Sequence, residues 1–161
     1  MPLLPPTLGD EIAKMEPTDD EAAAIAAFAD AFEKYMEGSG APAPAIPGSF
    51  AGAKSSMKGA MTGLSADGGG AAAISAGIAA FWGVVAGAAA SIWPPALSAT
   101  PPPGIGGVAG ALTPVFAANT AGSLDLAASA QAIALAIHPT QLGGIAIHLP
   151  PPAGLGPQPI L

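Results

Sequence analysis

The residues that most invite a chemical reading are Gly104-Ile105-Gly106-Gly107-Val108-Ala109-Gly110, with Asp125 further along. Glycines at such spacing, followed about twenty residues later by a carboxylate, are how a strand-turn-helix unit delivers a pyrophosphate to a helix N-terminus. That arrangement needs a strand directly before the first glycine, and Pro101-Pro102-Pro103 stands there instead. The glycines therefore read as a flexible or tightly packed turn, and no nucleotide cofactor is expected. His138 and His148 are the only two histidines. With Asp125 they are the ligand types of a two-histidine, one-carboxylate metal site. Their spacing fits no local ligand motif, and each stands beside proline or apolar residues, so the expectation is a ring hydrogen-bonded at an interface. There is no Gly-x-Ser-x-Gly elbow to activate a serine. There is no cysteine for thiol, disulfide or cysteine-zinc chemistry.

The remaining chemical candidates are carboxylates: Asp19, Asp20, Glu21, Asp30, Glu33 and Glu37. Acid-base catalysis needs two carboxylates held in different environments within a cleft. These six fall along one exposed surface and read as helix capping plus a solvated face. No catalytic, cofactor-binding or metal-binding residue is expected, and the chain is not expected to be an enzyme.

Charge distribution carries more than any motif. Of the fifteen charged side chains in 161 residues, all but Asp125 lie in the first 67. A folded monomer normally carries charge on about a quarter of its residues. The later stretch has almost none, so lipid or other protein must cover it. Net charge is −7 and the only cations are Lys14, Lys34, Lys54 and Lys58. That excludes a phosphate-neutralising nucleic-acid surface and disfavours anionic membranes. Mean hydropathy is +0.53, the wrong sign for a disordered chain. Alanine supplies much of the 51% apolar content and aromatics only 5%, so a large private core is not expected. The start, Met1-Pro2-Leu3-Leu4, has neither the basic nor the apolar region of a secretory signal. Use in the cytoplasm, or in a particle assembled there, is expected.

The elements that must position these residues follow from proline, glycine and apolar spacing. Residues 1–17 read as a proline-rich arm. Thr18 and Glu21 form a capping box opening an amphipathic helix over 18–37, with Ile25, Phe28, Phe32 and Tyr35 or Met36 on one face. Asp30, Glu33 and Glu37 would lie on its wet side. Residues 38–48 are an Ala-Pro linker. A second helix over about 50–64 carries Phe50, Met57, Met61 and Leu64. The uncharged packing region, 71–149, opens with a helix over 71–93. Ile74, Ile78, Phe81, Val85 and Ile92 line one side of it, and Ser75, Ala79, Gly83, Gly87 and Ser91 place a small residue at every fourth position. Such a row lets another backbone approach closely, so this helix reads as buried nearly all round. Val108, Leu112, Val115 and Phe116 suggest a short helix containing or starting near Pro114. Ser123 could cap a helix over 123–137. Ile133, Leu135 and Ile137 also alternate as a strand does, but alanine density and length favour helix. Ile145–Leu149 is a candidate strand, and 150–161 a proline-rich tail.

The alanine-glycine helix running into Ile92-Trp93-Pro94-Pro95-Ala96-Leu97-Ser98-Ala99-Thr100-Pro101-Pro102-Pro103-Gly104 resembles small structural proteins of phage tails and contractile injection systems, over roughly residues 71–150. The resemblance implies a virion or tail and baseplate component and brings no catalytic residues with it. The fold expected is mainly α, extended, and not an independent compact globule. The function expected is a non-enzymatic structural or adaptor subunit of a large assembly, partnered by other protein subunits in a homo- or hetero-oligomer. The inter-subunit seam is expected at Ser75, Ala79, Gly83, Gly87 and Ser91, with Phe81, Trp82 and Trp93 as bulky anchors. The alternative is a small membrane protein, holin-like or pore-forming, with one span at 71–93 and the two tryptophans at the lipid interface. The flanking Lys/Arg bias that would set its orientation is nearly absent.

Overall fold

A computed structural model describes residues 5–16, 18–38, 48–64, 69–92, 96–142, 145–148 and 158–159. It is mainly helical. Among the described residues there are six α-helices: α1 (Pro5–Ala13), α2 (Glu21–Glu37), α3 (Phe50–Ala60), α4 (Gly69–Ile92), α5 (Val108–Thr120) and α6 (Leu126–Ile137). Two 3-10 turns, Pro103–Gly107 and His138–Gln141, flank α5 and α6. Short strands β1 (Ala96–Thr100), β2 (Ile145–His148) and β3 (Gln158–Pro159) pair antiparallel in that order.

The expected proline-rich arm is a helix over most of its length. Prolines in a first helical turn cost nothing in hydrogen bonds, because those N–H groups have no intrahelical partner. Leu8 and Ile12, one turn apart, are buried as α1 packs on α2 and α6. Gly9 leaves room there for the Gln131 amide, whose Nε2 a Cβ would meet at 2.6 Å.

Helix α2 starts three residues later than the capping-box reading. Asp20 is the N-cap, its Oδ1 accepting from Ala22 N at 2.9 Å and Ala23 N at 3.4 Å, while Thr18 Oγ1 accepts from Asp20 N. Glu21 does not reach back to the cap. Its Oε1 accepts from Gly63 N at 2.7 Å and Leu64 N at 3.1 Å, tying the end of α3 to the start of α2. Gly63 takes a positive φ of 71° there, a conformation that favours glycine.

Phe28, Phe32, Tyr35 and Met36 of α2 are buried as the helical spacing required, and Ile25 partly so. Phe50, Met57 and Met61 are buried beside them. Asp30 and Glu33 are not simply a wet face. Lys54 pairs with both, at 3.1 Å to Asp30, and Lys58 reaches Asp30 at 3.7 Å. Glu11 pairs with Lys14 and, at 3.0 Å, with Lys34. Every lysine in the chain is therefore engaged across α1, α2 and α3.

Helix α5 runs through Pro114 to Thr120 and closes with Gly122 at φ 67°. Gly122 N donates to Asn119 O and Ser123 N to Ala118 O, the paired bonds of a Schellman stop. The segment after it is helical, as favoured, but Asp125 caps it rather than Ser123, accepting from Ala128 N at 2.7 Å. Ser123 is occupied in the preceding stop.

The aromatic centre joins three helices. Phe32 of α2 meets Phe81 of α4 edge-on at 5.1 Å between centroids, and Phe50 of α3 lies 5.7 Å from the same ring. The buried residues of the six helices form one core within one chain. The sequence, short of large apolar side chains, had not suggested that much.

Candidate functional site

Helix α4 is the element around which the others pack, and its two sides differ. Toward the core it buries Ile74, Ile78, Phe81, Trp82, Val85 and Ala89. Gly77 also faces inward. A Cβ there would run into the Met61 side chain and meet Met57 Cγ at 3.1 Å. The close approach between helices that small residues permit is thus made inside the chain, between α3 and α4, at a glycine the sequence reading passed over. Its signal was present: Ala73 and Gly77 are four apart, on the same side as Ile74, Ile78 and Phe81.

The outward side carries Ala72, Ala76, Ala79, Gly83 and Gly87, all exposed. From Ala72 to Gly87 it runs about 22 Å along the helix at 1.5 Å per residue. A Cβ built at Gly83 or Gly87 meets nothing within 4 Å. Of the five small residues singled out from sequence, Ala79, Gly83 and Gly87 lie on this strip and Ser75 is half-buried at its edge. Ser91 lies in α4, but its side chain is outside what is described. The expectation that α4 is buried nearly all round does not hold within the chain.

The expected bulky anchors are placed differently. Phe81 and Trp82 have no exposed surface and belong to the chain's own core. Trp93 lies outside the described residues. Trp82 follows Phe81 directly, so it turns to the adjacent side of the helix, and there its indole N–H finds a buried acceptor: Nε1 donates to Gln141 Oε1 at 2.7 Å. Gln141, 1% exposed, is held in turn by Nε2 donating to Thr140 Oγ1 at 2.6 Å and Ile137 O at 3.4 Å. The turn His138–Gln141 is thereby keyed to α4. Its other end is keyed to α2, where the Tyr35 hydroxyl lies 2.8 Å from His138 Nδ1. Burial pushes the Tyr35 phenol well above its ordinary range and His138 below 6.5. The ring hydrogen bond expected for His138 is therefore present, with its partner inside the chain.

The other chemical candidates disperse. Asp125 is exposed and caps α6; His138 is held by Tyr35; His148 lies in β2. Among the described residues no three of His, Cys, Asp and Glu are grouped to hold a metal ion. Gly104, first of the fingerprint-like glycines, is packed tightly: a Cβ would meet Thr140 Cα at 2.7 Å and Thr140 O at 3.1 Å. A strand does end at Thr100, but it pairs antiparallel with β2, and Pro103–Gly107 is a 3-10 turn packed on His138–Gln141. The parallel unit that cradles a pyrophosphate is not formed here.

Gly69–Ala90 is long and apolar enough to cross a membrane, with half of its most apolar window buried inside the chain. No family model, curated protein or solved structure matches this chain.

Proposed function

We propose that this chain is a non-enzymatic structural or adaptor subunit of a large protein assembly, with the outer strip of α4 as the surface on which a neighbouring subunit packs. The observation that carries this reading is the strip itself: five exposed alanines and glycines, about four turns long, in a region of the chain whose one charge is Asp125. A flat uncharged helix face suits close backbone packing and lacks the ionic coat of an ordinary solvent surface. By composition the proline-rich stretches at 38–48 and 150–161 suit a subunit that threads along its neighbours, because proline leaves little chain entropy to lose on ordering; both lie largely outside the described residues, and Gln158–Pro159 pairs with the chain's own β2. The resemblance over residues 71–150 favours a phage virion or contractile-tail particle.

The test separates the two glycine environments. Gly83→Leu and Gly87→Leu meet open space in the chain, and replacing glycine in an exposed helix interior stabilises by about 0.5–1 kcal/mol. Both variants are expected to fold at least as well as the parent, with unchanged helix content, and to fail to enter the particle. Normal assembly of both variants sinks the proposal. Extraction of the native material distinguishes the membrane alternative. Release by detergent and not by carbonate favours a span at α4; sedimentation as a large detergent-resistant particle favours the structural reading.

A further inference from the structure

The joint between α2 and the turn His138–Gln141 has a feature that packing alone does not require. The Tyr35 hydroxyl is buried, with the ring 1% exposed, and its one partner among the described residues is His138 Nδ1. A buried phenol must donate its proton to something. Neutral imidazole can supply that acceptor at Nδ1 in the tautomer that carries its ring proton on Nε2.

We propose that this joint is an acid-sensitive latch: when His138 takes up a proton from solvent at Nδ1, the Tyr35 hydroxyl loses its acceptor and the turn His138–Gln141 loosens from α2. The imidazolium can still donate to the Tyr35 oxygen, but the phenolic hydrogen is then left unpaired in the interior, which is costly. Among the described residues the new cation finds no counter-charge. Helices α4 and α6 and the turn Pro103–Gly107 carry no ionisable side chain. On α2, Asp30, Glu33 and Lys34 are engaged with lysines or with Glu11, and Glu37 is exposed. On α1, which packs against α6, Glu11 is paired with Lys14 and Lys34, and Asp10 accepts from Gln131 Nε2. Burial alone accounts for the lowered proton affinity of His138. The same turn holds Gln141, so loosening it also disturbs the Trp82 indole bond.

The sign follows. In the unfolded chain a histidine titrates at about 6.5, and in the folded chain His138 titrates lower. Above the unfolded value both states are neutral and stability does not change. As pH falls through it, the unfolded state binds the proton first and stability is lost, levelling below the folded value.

The experiment uses the full chain, titrated between about pH 5 and 8, where histidine is the side chain that changes charge. The His138 ring and the Trp82 indole N–H are followed by NMR in a Trp93→Phe background, alongside the urea midpoint. His138→Asn keeps an acceptor near the position of Nδ1 and takes no proton in this range. The parent's midpoint is expected to fall on acidification, with the Trp82 signal shifting in step with His138. His138→Asn is expected to hold both constant, and His148→Asn to behave as the parent. A flat parent midpoint overturns the latch, as does an equal fall in His138→Asn. Should His138→Asn fail to fold, the parent spectra decide: a His138 titration that leaves the Trp82 indole unmoved overturns it.

Discussion

Gln141→Leu tests whether Trp82 belongs to this chain's own interior or serves as an anchor for a neighbour. Leucine is close to glutamine in size and apolar, so it fills the site without supplying the oxygen that accepts from Trp82 Nε1 at 2.7 Å. Both residues are sealed from water, Trp82 at 0% and Gln141 at 1% exposure. An indole N–H stranded in the interior costs about 1–3 kcal/mol. The two bonds from Gln141 Nε2 to Thr140 Oγ1 and Ile137 O are lost as well, but removing a donor from an exposable hydroxyl and a carbonyl near the turn adds little to that range. For a chain of 161 residues the entropy of unfolding is about 0.34 kcal/mol/K, so each kcal/mol shifts Tm by about 3 °C. Gln141→Leu is expected to lower Tm by about 3–9 °C in dilute isolated protein, read by circular dichroism. Trp82→Phe removes the donor, and the double variant Trp82→Phe/Gln141→Leu should recover about 0.5–3 kcal/mol relative to the summed single changes. A Gln141→Leu protein within about 0.5 kcal/mol of the parent, the ordinary range of a surface change, would refute the internal placement and return Trp82 to the inter-subunit seam.

Two further outcomes follow from local geometry. Gly104→Ala puts a methyl group against the Thr140 backbone, with Cα at 2.7 Å, where no side-chain rotation relieves it. Destabilisation of about 1–3 kcal/mol is expected, measured by urea unfolding; a neutral substitution would show that the two 3-10 turns do not pack as described. Asp125→Ala removes the side-chain cap of α6 and should cost about 1 kcal/mol without touching assembly, whereas a larger loss of particle incorporation would mark Asp125 as a contact.

The parts legible in sequence were those where one side chain dictates one local geometry. Phe28, Phe32, Tyr35 and Met36 recur at helical spacing, and only one face of a helix satisfies them. The capping box read at Thr18 and Glu21 announces the helix start to within three residues, although Asp20 supplies the cap. Three things were not legible. The helix at Pro5–Ala13 was hidden because proline has opposite meanings in a first turn and in an interior; what decides is whether Leu8 and Ile12 have something to bury against, and α6 lies more than a hundred residues away. The cross-links from Glu21 to Gly63 and from Tyr35 to His138 join partners too distant in sequence for any spacing rule. The direction in which Phe81 and Trp82 point depends on which neighbours surround α4.

That last ambiguity reaches into the proposed function. Helix α4 carries small residues on two sides, and composition cannot say which side meets a neighbour of the same chain. Met57 and Met61 resolve it: they fill the notch at Gly77, as flexible unbranched side chains fit irregular gaps, and α3 thereby claims that side. With Gly77 spent internally, Gly83 and Gly87 serve no packing among the described residues, yet each costs up to about 1 kcal/mol of helix stability relative to alanine. The lysines offer no alternative explanation, since all four are held by Glu11, Asp30 and Glu33. The proposed neighbouring subunit accounts for two glycines held at that cost on an exposed helix face, because a second backbone can come close only where side chains are small.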